Sequence, residues 1–206
     1  ARIMAAGVPC FSAYVRDISE RKTAVDKINR DYHTQRVLAE LLAISMRPDP
    51  FEQRLQFALE LILSTPWLAL KGSGSIFLTD TESGNLRMAA RHGLSAHIEQ
   101  TCATVEMGHC LCGRAAETRE LLFTDCIDDR HEVQFSGMSE HGHYCAPILF
   151  DGALLGVLNL YLDEHHQQTP GELQFITAAA HAVGGMIQRH QAEQQLRYHA
   201  YHDGLT

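Results

Sequence analysis

The stretch His143 to Leu162, HYCAPILFDGALLGVLNLYL, decides the fold. Two runs dominated by apolar residues are parted only by Asp151 and Gly152, a two-residue turn signal, so the segment reads as a β-hairpin. Working back from it, Leu121 to Asp125 (LLFTD) is strand-like, and Gly113 to Thr118 (GRAAET) and Ser95 to Thr101 are short and helical. Gly74 to Thr79 (GSIFLT) and Asn85 to Arg91 form a second hairpin about Ser83 and Gly84. Before that, Pro48 and Pro50 interrupt a helical pattern, and Leu55, Ala58, Leu59, Ile62 and Leu63 give Phe51 to Leu63 one apolar face. Hairpin, short helices, hairpin and a long closing helix imply an α+β fold, an antiparallel sheet flanked by helices.

The chain has 206 residues, 45% hydrophobic and 20% charged, so it can bury a substantial core. Its formal charge of −8 disfavours a nucleic-acid interface, which draws on clustered Lys and Arg. No run approaches the roughly 20 apolar residues of a membrane span, and ARIMAAGVPCF has no secretory core. A cytoplasmic location with reduced thiols is expected, because the 6 cysteines do not sit in a small loop-rich scaffold.

Both ends carry helical seams. Val25, Ile28, Tyr32, Ala39, Leu42 and Met46 alternate at spacings of three and four, with Gln35 in the seam. Leu173, Ile176, Ala180, Val183 and Ile187 repeat the spacing, and residues from His190 to Tyr198 are polar. The second seam packs either on the domain's own sheet or on a partner. A parallel homodimer through these helices is expected, with charged residues at Val183 and Ile187 weakening it, or unfolding the domain if that seam is core.

Three resemblances extend this reading. Phe11 to Lys22 (FSAYVRDISERK) resembles the last strand of a PAS domain and its exit motif. Met107 to Gly113, then Phe123, Thr124 and Asp125, then Cys145 to Leu160 with Pro147, Gly152 and Gly156, resemble the GAF family over roughly residues 40 to 190. The resemblance implies a GAF-like antiparallel sheet that binds small molecules, tetrapyrroles or metals on one face and signals through long N- and C-terminal helices. Residues 198–206 (YHAYHDGLT) resemble, at His202, Asp203, Leu205 and Thr206, the lead-in of GGDEF diguanylate cyclase domains. The implied organisation is the end of a PAS-like domain at 1–18, a signalling helix at 19–46, the GAF sensor at 47–190, and at 191–206 an exit helix with the start of a GGDEF-like output domain of cyclic di-GMP signalling.

Cys110 and Cys112 precede the short helix, Cys126 follows the next strand, and His141, His143 and Cys145 alternate where the final hairpin begins. Period two puts those last three on one face. Simple packing of buried thiols, a redox switch and a metal centre are all open readings of this group. For a metal, thiolate and imidazole select zinc, iron or an iron-sulfur cluster. The expected ligands are Cys112, Cys126, His143 and Cys145, with Cys110 and His141 as substitutes; an unidentified small molecule is the other occupant. Cys112 leads because a helix start favours a thiolate. Cys10 and Cys102 fall outside the group, Trp67 and Phe77 read as core, and Asp125, Asp128, Asp129 and Arg130 read as a solvated loop. Some GAF proteins resemble methionine-sulfoxide reductases, so a cysteine enzyme is the alternative in another class. No oxyanion device or third orienting residue accompanies the thiols.

Overall fold

The computed structural model describes residues 2–5, 8–11, 16–68, 70–135 and 137–202, with residues 2–5, 8–11, 201 and 202 described by backbone alone. The side chain of Cys10, residues 12–15 of the PAS-like stretch, and Asp203, Leu205 and Thr206 of the GGDEF-like stretch lie outside that description. Contacts divide the chain into residues 1–33 and 34–206. In the first unit β1 (Arg2–Ala5) pairs antiparallel with β2 (Val8–Phe11), and α1 (Ser19–Ser45) begins. Asp17 supports that start: its Oδ1 accepts the Ser19 N–H at 2.9 Å.

The second unit is the α+β domain. Its elements are α2 (Phe51–Leu63), β3 (Leu70–Thr79), β4 (Leu86–His92), α3 (Ala96–Thr101), β5 (Thr104–Val105) and α4 (Cys110–Thr118). They continue with β6 (Leu122–Thr124), β7 (Gly142–Phe150), β8 (Ala153–Leu162) and α5 (Pro170–His202). Six strands form one sheet in the order β5-β4-β3-β8-β7-β6, antiparallel throughout. The hairpin between β7 and β8 turns at Asp151 and Gly152, both with positive φ, +46° and +77°. This is the backbone that the Asp-Gly pair favours.

Alternation along the strands divides the sheet into two faces. Ile76 of β3, Tyr144, Ala146 and Ile148 of β7, and Leu158, Leu160 and Leu162 of β8 join the larger core with α2, α5 and the second half of α1. Each large aliphatic side chain buried there contributes about 1.5–3 kcal/mol. Phe77, Cys145 and Val157 point to the opposite face, where Leu111, Cys112, Ala115 and Ala116 of α4 cover them.

The two helical seams have different fates. Ile176, Ala180, Val183 and Ile187 of α5 are buried in the domain's own core, so the second seam is taken by the sheet and is not free for a partner. On α1, Val37 and Leu41 face that core, while Val25, Ile28, Tyr32 and Leu42, with Ile18 and Met46 flanking the helix, remain 47% to 66% exposed. Positions 18, 25, 32 and 46 fall on one heptad row, and 28 and 42 on the other. The start of α5 is fixed by a reciprocal cap: Glu172 Oε2 accepts the Thr169 N–H at 2.9 Å, and Thr169 Oγ1 accepts the Glu172 N–H at 3.4 Å.

Val183→Asp is therefore expected to abolish cooperative thermal unfolding followed by circular dichroism, because it buries an unpaired charge. Leu42→Glu, at an exposed site, is expected to change stability by no more than about 0.5 kcal/mol.

Candidate functional site

On the face opposite α5, β3 contributes Ser75 and Phe77, β7 His143 and Cys145, and β8 Asn159 and Tyr161. A cavity of about 30 Å³ lies there, bordered by Ser75, Asn159, Tyr161, His143, His131 and Cys112, among others. A single water needs about 10–15 Å³, whereas drug-sized ligands occupy pockets of roughly 300–1,000 Å³. The space fits one or two water-sized groups and excludes a tetrapyrrole or nucleotide in this conformation.

Three buried imidazoles meet beside it. One nitrogen from each of His131, His141 and His143 lies within 4.8 Å of the others, and among the described residues this is the one group of three or more His, Cys, Asp or Glu donors so close together. His131 Nε2 and His143 Nε2 are 3.2 Å apart. His143 Nδ1 is 2.9 Å from Asn159 Oδ1, and His141 Nδ1 is 2.6 Å from the Ser139 carbonyl oxygen. Those acceptors place the proton on Nδ1 of both rings and leave each Nε2 as a lone pair. His131 is brought in by the loop after β6. Asp128 Oδ1 accepts the Arg130 N–H at 2.9 Å, the His131 N–H reaches the Asp128 carbonyl at 2.9 Å, and Thr124 Oγ1 lies 3.3 Å from Asp128 Oδ2. This Asx turn aims His131 inward. Asp128 and Arg130 pair at its outer edge, as expected for a solvated loop.

The six residues singled out in the sequence are brought together only in part. His141 and His143 are neighbours, and Cys112 Sγ is 3.8 Å from Cys145 Sγ. Cys110 borders the cavity in left-handed backbone (φ +53°), its N–H donated to Glu132 Oε2. Cys126 follows β6, is half-buried, bonds through its backbone to Thr124 Oγ1, and does not border the cavity. The ligand set Cys112, Cys126, His143 and Cys145 thus shares only His143 with the closest donor group. The face alternation that singled out 141, 143 and 145 could not reach His131, which stands alone in a charged loop. Cys102, set aside in the sequence, borders the cavity. Asn159, also missed, links His143, Cys145 (Sγ at 3.5 Å) and Ser75 (Oγ at 3.5 Å). The nitrogen-only trio suits zinc or iron(II) better than an iron-sulfur cluster, which cysteine thiolates hold.

Burial governs the electrostatics. A hydrogen bond with Cys145, then burial, pushes the Cys112 thiol well above its ordinary value; burial raises Cys110, and takes Cys102 to about 12. A helix start does not make Cys112 a thiolate here, and protonated thiols are poor nucleophiles. Burial lowers His131 and His141, and with the two neighbouring imidazoles takes His143 to about 3. Since these folded values lie below the ordinary 6.5, the unfolded chain takes up protons first as pH falls. Their contribution to stability is present above 6.5 and is lost on descending toward 3. In chelator-treated protein the melting temperature is expected to fall steadily from pH 6.5 to about 4.5, before most carboxylates titrate. A constant melting temperature over that window would contradict neutral burial of the three rings.

Comparisons with known proteins agree with this architecture. No curated protein sequence matches the chain significantly. Among solved structures, the GAF domain of a phosphoenolpyruvate-protein phosphotransferase from Coxiella burnetii is similar at a TM-score of 0.68 and 20% identity, over 80% of this chain and 98% of that one. A GAF domain of an Acinetobacter phosphoenolpyruvate-protein phosphotransferase aligns at 0.64 and 13%, over 77% and 94%. Free methionine-R-sulfoxide reductase from Neisseria meningitidis, solved with its substrate, aligns at 0.62 and 17%, over 75% and 88%. At these identities the likeness is one of fold. The family model for the GAF domain matches residues 49–188, more than half of the chain, and the chain belongs to the GAF domain family.

Proposed function

We propose that this chain is the sensory input segment of a cytoplasmic signalling protein, in which occupancy of the inner-face cavity controls a C-terminal GGDEF-like diguanylate cyclase and hence cyclic di-GMP synthesis. The occupant is a small molecule or a metal, zinc or iron. One observation carries the reading. Tyr144, between His143 and Cys145 on β7 but facing the opposite side of the sheet, donates its hydroxyl to Glu172 Oε2 at 3.1 Å. Glu172 is the residue that caps α5, and it also accepts from His166 Nε2 at 3.0 Å. A displacement of β7 by an occupant is transmitted to the start of the exit helix through this bond. α5 then runs unbroken to His202, where the GGDEF-like stretch begins. The exposed heptad rows of α1 support a homodimer in which two output domains meet. The PAS-like stretch ahead of α1 supports a place for the domain between two other modules.

A thiol redox switch is the second reading, favoured by the 3.8 Å separation of Cys112 and Cys145 sulfurs. The raised Cys112 pKa weighs against rapid oxidation, and against a cysteine enzyme of the methionine-sulfoxide reductase kind.

The relay is tested in the parent protein with Tyr144→Phe, which removes one hydrogen bond worth about 0.5–1.5 kcal/mol. Folding is expected to survive and cyclic di-GMP output to change several-fold; an unchanged rate would remove the relay. For assembly, Ile28→Glu combined with Leu42→Glu is expected to convert a dimer to a monomer in light scattering with an unaltered circular dichroism spectrum. A wild-type monomer at high concentration would exclude the dimer.

A further inference from the structure

We infer that His131, His141 and His143 form a centre for one divalent transition metal, zinc or iron(II), whose remaining coordination position faces the cavity and takes a ligand of water or diatomic size. The metal half stands on the geometry of the three rings, and the ligand half rests on the sensory reading of the cavity.

The first argument is an account of lone pairs. The Nδ1 atoms of His141 and His143 are committed to the Ser139 carbonyl and to Asn159. Their Nε2 atoms are therefore bare acceptors inside the protein. Without an ion, the only imidazole N–H that faces His143 Nε2 is that of His131, and His141 Nε2 is buried with no hydrogen-bond partner. A buried polar atom left this way costs about 1–3 kcal/mol. A cation at the meeting point of the rings satisfies all three nitrogens together, which no arrangement of protons on them achieves.

Distance and orientation agree. Two nitrogens held about 2.0–2.1 Å from one tetrahedral ion lie about 3.3 Å apart. The His131 and His143 Nε2 atoms are 3.2 Å apart already, and the third ring's nitrogen lies within 4.8 Å. Metal-bound histidines almost always donate their other N–H to a carboxylate, carbonyl or water, and Asn159 Oδ1 and the Ser139 carbonyl serve that purpose here. The Asp128 carboxylate acts electrostatically on His131 and His143 and favours positive charge between them.

Three neutral nitrogens leave one position of a tetrahedral ion open, the arrangement of metal sites that take an exchangeable ligand. His131 and His143 both border the cavity, whose other walls include Phe77, Met88, Leu94 and Ile98 and which no Lys or Arg borders among the described residues. The ion's own charge suits a neutral ligand or a small anion alike, and a volume of about 30 Å³ limits that ligand to one or two heavy atoms.

The test uses the 206-residue chain. Apo protein titrated with cobalt(II) is expected to bind one ion with the intense visible bands of a four-coordinate site. His131→Gln and His141→Gln should each abolish that signal, and Asn159→Ala should weaken binding about 10–100-fold. Cys126→Ser should bind as wild type does. X-ray absorption of the zinc-loaded wild-type protein needs no variant, and should show only nitrogen or oxygen neighbours with imidazole scattering. A sulfur shell at about 2.3 Å, or loss of metal in Cys126→Ser, would overturn the histidine centre in favour of thiolate ligands. Failure to bind cobalt, zinc or iron(II) would overturn it outright. For the ligand half, iron(II)-loaded protein exposed to nitric oxide without oxygen should form one adduct per iron, and Val133→Phe, which fills the cavity, should block the adduct but not the iron. An adduct unaffected by Val133→Phe, or none at all, would remove the ligand position. Cyclic di-GMP output of the parent protein that ignores metal loading would remove the sensory reading and leave the metal centre standing.

Discussion

The register of β7 against β8 sets which residues can meet. Cys145 lies opposite Asn159 and Tyr144 opposite Leu160, so one pairing directs His143, Cys145 and Asn159 to the cavity and Tyr144, Leu158 and Leu160 to the helices. A slip by one residue would exchange the faces, placing imidazole and amide groups under α5 and leucines at the cavity. Two devices pin the register: the Asp151–Gly152 turn and the irregularity beside it, where pairing shifts between Ile148 and Leu149. Where β8 also meets β3, the same pairing brings Ser75 opposite Asn159 and completes the polar row.

The two faces divide the physical tasks. The helix-side face is mostly apolar and supplies most of the stability, and the buried polar groups there include the Tyr144–Glu172 pair and Arg54, which donates to the Ser45 carbonyl. The other face carries three neutral histidines, several thiols and an amide out of water, and two imidazole nitrogens there, His131 Nδ1 and His141 Nε2, lack hydrogen-bond partners. An unsatisfied polar cluster opposes folding, and it persists in a domain whose other face can offset it. On the cavity side the unpartnered groups gather in one cluster of imidazoles, whereas among the helices they are scattered, at Arg54 Nε, Thr65 Oγ1 and Trp67 Nε1.

Much of this was legible in the sequence because it follows from short-range rules. Phe51 to Leu63 was bounded by prolines and a 3.6-residue period, and the observed helix has those ends. The Asp-Gly hairpin, the antiparallel sheet and the shared face of His143 and Cys145 came from period two. What was not legible depended on distance in the chain. The α5 seam has the spacing of a coiled coil, yet the same spacing lets one helix lie on a twisted sheet, and only the three-dimensional structure shows that Val183 and Ile187 face β7 and the core. His131 had no periodic neighbour, since an irregular loop shaped by Asp128 delivers it. Asn159 looked like one polar residue in an apolar strand until β3 and β7 were seen on either side of it.

The length of α5 bears on how far its free end reaches. From Glu172 to His202 the helix advances about 1.5 Å per residue, or about 45 Å in all. Its first turn is held by the Thr169–Glu172 cap, which the Tyr144 hydroxyl ties to β7. Ile176, Ala180, Val183 and Ile187 hold the first half of α5 against the core, so only the part beyond Ile187, about 22 Å, can act as a stiff lever, and a tilt of about 5° there carries the far end through about 2 Å. The half bound to the sheet fixes the direction of the helix, and the half that leaves the domain gives it reach.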